Sequence, residues 1–236
     1  MMIKTYKCSR CVGENPGFIK YGKTSCGKQR YQCKTCKTIK ILDYTYNAYE
    51  KDINQKIILL TKEGLGIRST ARILKISATT LLKRILIIAD KIVQPAIKFH
   101  QSYELDEMRI FVRKKANPMW LVYAINKQSK EVAGFYIGKR NNKILNSVVK
   151  TLINSKPEKI FTDKLRNYKS LIPKEIHCTQ KYGTNGIERK NLNLRTHLKR
   201  LNRKTICFSK NILVLSSILK IYFWNKGEYK YYEAIL

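Results

Sequence analysis

The stretch Thr184-Asn185-Gly186-Ile187-Glu188-Arg189-Lys190-Asn191-Leu192-Asn193-Leu194-Arg195 decides how the rest of the chain is read. Asn185-Gly186 is a turn signal, and the residues after it keep helical spacing through Lys204. Ile187, Leu194, Leu198 and Leu201 share one face and predict a buried stripe. Glu188, Asn191, Arg195, Lys199 and Arg203 share another, which puts one carboxylate at the head of a basic ridge. Such a ridge suits a phosphate backbone, and a carboxylate beside it suits a divalent cation. A charged stripe by itself is usually a solvated helix face. Two aspartates upstream shift the balance here.

Moving outward toward the N-terminus, the apolar pattern alternates from Glu104 onward. Residues 105–113, 119–126 and 131–137 predict three strands of an antiparallel meander, with a turn at Ala116-Asn117-Pro118 between the first two. Residues 141–153 predict a helix and 159–163 a short fourth strand. Tyr168 and Leu171 fall on a small helix or turn, and 176–179 predict a fifth strand. Three strands, a helix, a strand, a helix, a strand and a helix is the order of a ribonuclease H-like fold, a mixed α/β sheet with flanking helices. Alternation places Asp106 on the apolar face with Met108, Ile110 and Val112, and Glu107 with Arg109 on the other. A core-facing acid needs a partner to offset its desolvation. Asp163 ends the fourth strand, which lies beside the first in this topology, and Glu188 arrives on the last helix. Three gathered carboxylates repel one another unless cations intervene. Mg²⁺ or Mn²⁺ takes carboxylate oxygens, and two such ions can clamp the attacking and leaving oxygens of a phosphodiester. Taken one at a time, each acid reads as a surface ion-pair partner. Taken together, on a chain with only 16 Asp plus Glu, they read as a metal site.

Residues 48–98 predict helices. A short helix over 68–74, a turn at Lys75-Ile76-Ser77 and a second helix from Ala78, capped by Ser77, form a helix-turn-helix; the helix continues over 86–97, ended or bent by Pro95. Ala71, Ile76 and Leu81 are its expected pivots. Thr79, Thr80, Lys83 and Arg84 would face a DNA major groove. An ordinary helical hairpin is the plainer alternative. Upstream, Cys8-Ser9-Arg10-Cys11 and Cys33-Lys34-Thr35-Cys36 are two Cys-x-x-Cys knuckles, which predict a structural Zn²⁺ held by Cys8, Cys11, Cys33 and Cys36, with Cys26 to spare. Expected domains are therefore a zinc ribbon over 1–45, a helix-turn-helix over 46–100 and the ribonuclease H-like domain over 101–236.

Lys plus Arg number 48, for a formal charge of +32 spread along the whole chain. Nucleic acid is the partner that such a surface implies. The start shows no apolar signal region, and the apolar tract near 212–224 is broken by Lys220 and too short to span a bilayer. A cytoplasmic protein with no membrane partner is expected.

Several stretches resemble the insertion-sequence-one family of bacterial DDE transposases. They are Leu105-Asp106-Glu107-Met108, Phe161-Thr162-Asp163, Ile187-Glu188-Arg189-Lys190-Asn191 and above all Leu198-Lys199-Arg200-Leu201-Asn202-Arg203-Lys204-Thr205-Ile206-Cys207-Phe208-Ser209-Lys210. The resemblance covers nearly the whole chain, since that family also carries a zinc finger and a helix-turn-helix before its catalytic domain. It implies Asp106, Asp163 and Glu188 as a catalytic, Mg²⁺-binding triad and the four cysteines as zinc ligands. It further implies double-stranded DNA as partner, both terminal inverted repeats and target, and metal-dependent cleavage and strand transfer. Asn191, Arg195, Lys199, Arg200 and Arg203 would lie along the DNA strand being cut. A homo-oligomer of at least two copies on DNA, working at the bacterial nucleoid, follows from the need to hold two ends. Arg109 stands where the family pattern has Trp. That departure motivates the alternative of an inactive zinc-containing DNA-binding repressor; a ribonuclease H-like nuclease or resolvase is the other.

Overall fold

The structure, a computed structural model, describes residues 8–11, 17–25, 27–42 and 46–225, apart from the side chain of Asn117. Cys26 and the tail from 227 lie outside them. The first 47 positions and the described residues from Ala48 on form two separate units.

In the first unit, β1 (Phe18–Lys23), β2 (Gln29–Cys33) and β3 (Ile39–Lys40) make an antiparallel sheet in the order β1-β2-β3. Cys33 ends β2, and the tight turn after it closes with Lys37 at φ 57° and Lys37 N–H donating to Cys33 O. That turn returns Cys36 toward the strand it left.

The second unit opens with α1 (Ile53–Lys62), α2 (Ile67–Ile73) and α3 (Ala78–Asp90). Ser77 caps α3 as expected, its hydroxyl accepting from Thr80 N–H at 3.0 Å. Ala71, Ile76 and Leu81 are buried between the helices. Helix α3 stops at Asp90 rather than running to Pro95. The residue before a proline is driven to extended backbone, and Gln94 uses that geometry to donate its amide to Ala133 O at 2.8 Å.

The remaining elements are β4 (Tyr103–Val112), β5 (Lys114–Asn126), β6 (Val132–Gly138), α4 (Asn142–Ile153), β7 (Ile160–Phe161), α5 (Arg166–Leu171), β8 (His177–Cys178), α6 (Asn185–His197) and α7 (Ile212–Trp224). The sheet runs β6-β5-β4-β7-β8; β4, β5 and β6 are antiparallel neighbours, while β4, β7 and β8 are parallel. This is the ribonuclease H-like arrangement. Alternation gives each face its own core. Met108, Ile110, Leu121, Tyr123 and Ile125 pack with Ile187, Leu194, Leu215 and Leu219 of α6 and α7. Tyr103, Leu105, Val122 and Ala124 pack with Leu145, Val149 and Leu152 of α4 and Tyr168 of α5.

Two expectations are corrected. The β4–β5 turn is at Arg113, in left-handed backbone at φ 66°, not at Ala116-Asn117-Pro118. Pro118 instead lies within β5, opposite Phe111 and beyond the last β5–β6 pair at Trp120. A proline fits there because β5 has no second neighbour to receive an N–H. Second, the helix expected to continue through Lys204 breaks after His197 into a 3-10 turn, Lys199–Leu201. The turn between α1 and α2 runs against that end: a Cβ on Gly64, at φ 75°, would lie 2.1 Å from His197 O. Leu198 and Leu201 remain buried, now carried by the tighter turn.

Helix α7 packs on α1, α3 and β6 alike. Trp224 Nε1 donates to Val132 O at 2.8 Å and Lys62 Nζ to Asn225 O at 2.8 Å, so the helix-turn-helix and the large sheet form one body. Truncating Leu81 to Ala, at a side chain with no exposure, should cost about 2–5 kcal/mol, read as a fall in urea-unfolding free energy.

Candidate active site

Strand register explains why two acids distant in sequence become neighbours. Glu104 pairs with Phe161 across the parallel β4–β7 ladder. Two residues further along stand Asp106, still on β4, and Asp163, just past the end of β7, both at the same end of the sheet. The charge on Asp163 reaches Asp106 and raises its pKa. Burial is the larger cause, and with the Glu107 carboxylate it pushes Asp106 up to about 6 against the hydrogen bonds that lower it. Those bonds come from Glu107 N–H, at 2.8 Å from Oδ1, and Asn191 Nδ2, at 2.7 Å from Oδ2. Tyr123 OH donates to Asn191 Oδ1 at 2.8 Å, so the amide is fixed from both sides.

Asp106 and Glu188 line one cleft of about 630 Å³, together with Glu107, Met108, Asn191, Arg195 and Arg203. Asp163 is exposed beside that lining rather than part of it, and its Oδ1 accepts from Leu165 N–H at 3.0 Å. Glu188 accepts from Thr184 Oγ1 at 2.9 Å, one turn earlier on α6. The three carboxylates thus share one end of the sheet but are not drawn into a closed cage. Among the described residues, only the four thiols converge that tightly.

The ridge residues divide. Arg195 is half-buried in the cleft with Nε 3.2 Å from Met108 Sδ, and its buried Nη1 has no hydrogen-bond partner. Burial lowers its pKa, and the nearby Arg203 charge lowers it further. Arg203 lines the same wall; Lys199 is exposed outside it, a result of the break after His197. Arg200, expected on the DNA, turns inward to donate to Ser209 Oγ at 3.1 Å. Asn191 is occupied by Asp106 and Tyr123. On α3, Thr79 and Lys83 are exposed as expected. Thr80 Oγ1 is instead 2.8 Å from Ser77 Oγ, and half-buried Arg84 donates to Ala48 O at 2.6 Å. Arg109 is exposed on the face opposite Asp106, with its guanidinium 5.5 Å from the Phe111 ring, and does not line the cleft.

In the first unit, the Sγ atoms of Cys8, Cys11, Cys33 and Cys36 all lie within 4.8 Å of one another. Thr38 hydrogen bonds hold Cys36 down to about 6 and the Arg10 and Cys11 backbone N–H groups lower Cys8, while the hydrogen bond with Cys36 and burial push Cys11 up to about 12.

Sequence reading missed the polar residues that brace these acids. Glu104, Glu107, Tyr123 and Tyr168 are all buried. Alternation did put Glu107 on the face away from Asp106; that α4 and α5 cover this face is a tertiary fact.

Comparison with known proteins gives these features a context. Residues 100–230 match the family described as IS1 transposase, and residues 44–86 match the InsA C-terminal domain. The InsB protein of insertion element iso-IS1n from Shigella dysenteriae is 37% identical over 116 residues, covering 49% of this chain and 88% of that protein. InsB of insertion element IS1 4 from Escherichia coli strain K12 is 32% identical over 130 residues, covering 55% and 78%. Among solved structures, the HTLV-2 integrase catalytic core in complex with magnesium is 17% identical, covers 54% of this chain and 86% of that one, and superposes with a TM-score of 0.37. No helix among the described residues is long and apolar enough to cross a membrane. With its acids at one sheet end, a helix-turn-helix ahead of them and more than half its length matched, the chain belongs to the IS1 transposase family.

Proposed function

We propose that this transposase cuts DNA at the terminal inverted repeats of an insertion element and joins the freed ends to target DNA, with Asp106, Asp163 and Glu188 as its catalytic carboxylates. The observation that carries the reading is Asp106 and Glu188 in one cleft with Arg195 and Arg203, within reach of the Asp163 charge. The donor set fits Mg²⁺ or Mn²⁺: it offers only hard oxygens, and burial and the neighbouring carboxylates raise the Asp106 pKa to about 6, a cost that a cation would offset. Bound there, divalent ions would activate the attacking oxygen and stabilise the leaving one.

The chain's own residues prepare the rest. Asn191, fixed by Tyr123, orients the Asp106 carboxylate in advance. Arg195 and Arg203 put two positive charges on the same wall of the cleft, suited to a phosphate. Water would attack the phosphodiester at the element's end and release a 3′-hydroxyl. That hydroxyl would then displace an oxygen of a target phosphodiester, with no covalent protein intermediate. Thr79 and Lys83 are the exposed residues of α3 suited to reading a major groove, and Lys199 to a flanking phosphate. Arg84, Thr80, Asn191 and Arg200 serve by bracing rather than by touching DNA. Two element ends need two copies of the chain, acting at the bacterial nucleoid.

The four thiols would hold one structural Zn²⁺. Cys8 and Cys36 are 3.5 Å apart and Cys11 and Cys33 3.8 Å, against about 3.8 Å for a tetrahedron with 2.3 Å zinc–sulfur bonds.

Asp163→Asn should abolish Mg²⁺-dependent cleavage of a labelled element end while leaving end binding intact; cleavage at the parental rate would refute the role. Metal analysis of the native protein should find one zinc per chain, with Cys36→Ser losing it. Arg195→Ala and Arg203→Ala should each weaken binding across sequences and reduce the slope of log K against log salt by about 1, measured by titration at several salt concentrations.

A further inference from the structure

Two buried glutamates flank Asp106 on the same strand, and the chemistry proposed above uses neither. Glu104 is 1% exposed and Glu107 8%. Each leaves β4 in a different direction: one ends on α6, which carries Glu188, and the other on α5, which begins three residues after Asp163.

Glu104 points to the start of α6. Its Oε2 accepts from Ile187 N–H at 2.7 Å, a backbone donor of the first helical turn with no partner inside the helix. Its Oε1 pairs with Lys130 Nζ at 2.9 Å. No side chain of α6's own N-cap residue, Thr184, does this work. The approach is close enough to exclude a side chain at Gly186, where a Cβ would stand 2.5 Å from Glu104 Oε1 and 2.5 Å from Lys130 Nζ. The same β5–β6 turn sends Lys127 Nζ to Gly183 O at 3.0 Å, over the Phe161 ring. The backbone entering α6 is therefore held on both sides of Asn185, immediately before Glu188.

Glu107 points the other way, to α5. Tyr168 OH donates to its Oε2 at 2.5 Å, and Arg140 donates to Oε1 through Nη2 at 2.7 Å and Nε at 3.1 Å. Arg140 is in turn held over the Trp120 ring at 4.6 Å. Tyr168 is fully buried, and its N–H donates to Leu165 O, in the turn that begins at Asp163.

We infer that Glu104 and Glu107 are positioning residues: through buried carboxylates they register Glu188 and Asp163, each by its own arm, against Asp106. A buried carboxylate with both oxygens engaged resists displacement, since moving either partner strands a desolvated charge. The arms leave opposite faces of one strand, so β4 acts as a common ruler for the site. The inference rests on the proposed roles of Asp163 and Glu188, but its main test does not.

Amide hydrogen exchange of the full chain, without divalent ions, reads each arm directly. Gly186→Ala should speed exchange at 185–191 by about tenfold, the loss of one good hydrogen bond, and leave 163–171 unchanged. Lys130→Met, on a half-exposed side chain, is the milder variant for the same arm. Tyr168→Phe should do the reverse, loosening 163–171 alone, with Glu107→Gln as its companion. Both arms should lower end cleavage roughly 10- to 100-fold with inverted-repeat binding retained. Unchanged exchange in both segments would overturn the inference, and so would equal loosening of both along with the whole sheet, which would mark a general structural role. A parental chain that never cleaves would sink the proposed function instead, and the exchange pattern would still decide the arms.

Discussion

Burying Asp106 beside other carboxylates is the constraint that the large sheet has to accommodate. Parallel pairing of β4 with β7 brings Asp106 and Asp163 to the same end, and burial adds to the cost of ionising Asp106. The structure answers with oriented dipoles rather than with a nearby cation. Glu107 N–H and the Asn191 amide support Asp106, and the positive side chains of the wall, Arg195 and Arg203, stay a short distance off. Carboxylates and guanidinium groups thus line one cleft, the two kinds of charge that the proposed phosphodiester chemistry would use.

The same economy of acids runs through the chain. Glu104 and Glu107 each form an ion pair from a nearly fully buried side chain, with Lys130 and Arg140. Five of the 16 acids, Glu104, Asp106, Glu107, Asp163 and Glu188, belong to the site or its supports, against 48 Lys and Arg in the whole chain. So large an excess repels itself in the free protein, and a polyanion lowers that repulsion on binding. Binding DNA and relieving the chain's own charge are one process.

Shared packing ties recognition to the sheet. Helix α7 lies against α1 and α3 on one side and β6 on the other, and Gly64 brings the α1–α2 turn onto the end of α6. The helix-turn-helix is thereby packed into the same unit as the cleft.

Period and spacing were enough to read much of this. Alternation sorted Asp106 from Glu107 onto opposite faces, the Ser77 cap marked the start of α3, and Cys-x-x-Cys spacing picked out the thiols, because each is a local rule acting over a few residues. What failed were positions where a distant segment overrides the local rule. Pro118 sits in a strand because β6 ends short of it; the helix from Asn185 stops because Gly64 meets His197 O. Arg84 and Arg200 looked like surface cations until packing gave them inward acceptors. By itself the sequence determined the order of elements, the identity of the acids and thiols, and the sign of the surface, all properties of residue type and short-range period. Only the tertiary structure decided which acids lie together, and that Glu104 and Glu107 are buried struts, because burial and register depend on chain segments that no local pattern connects.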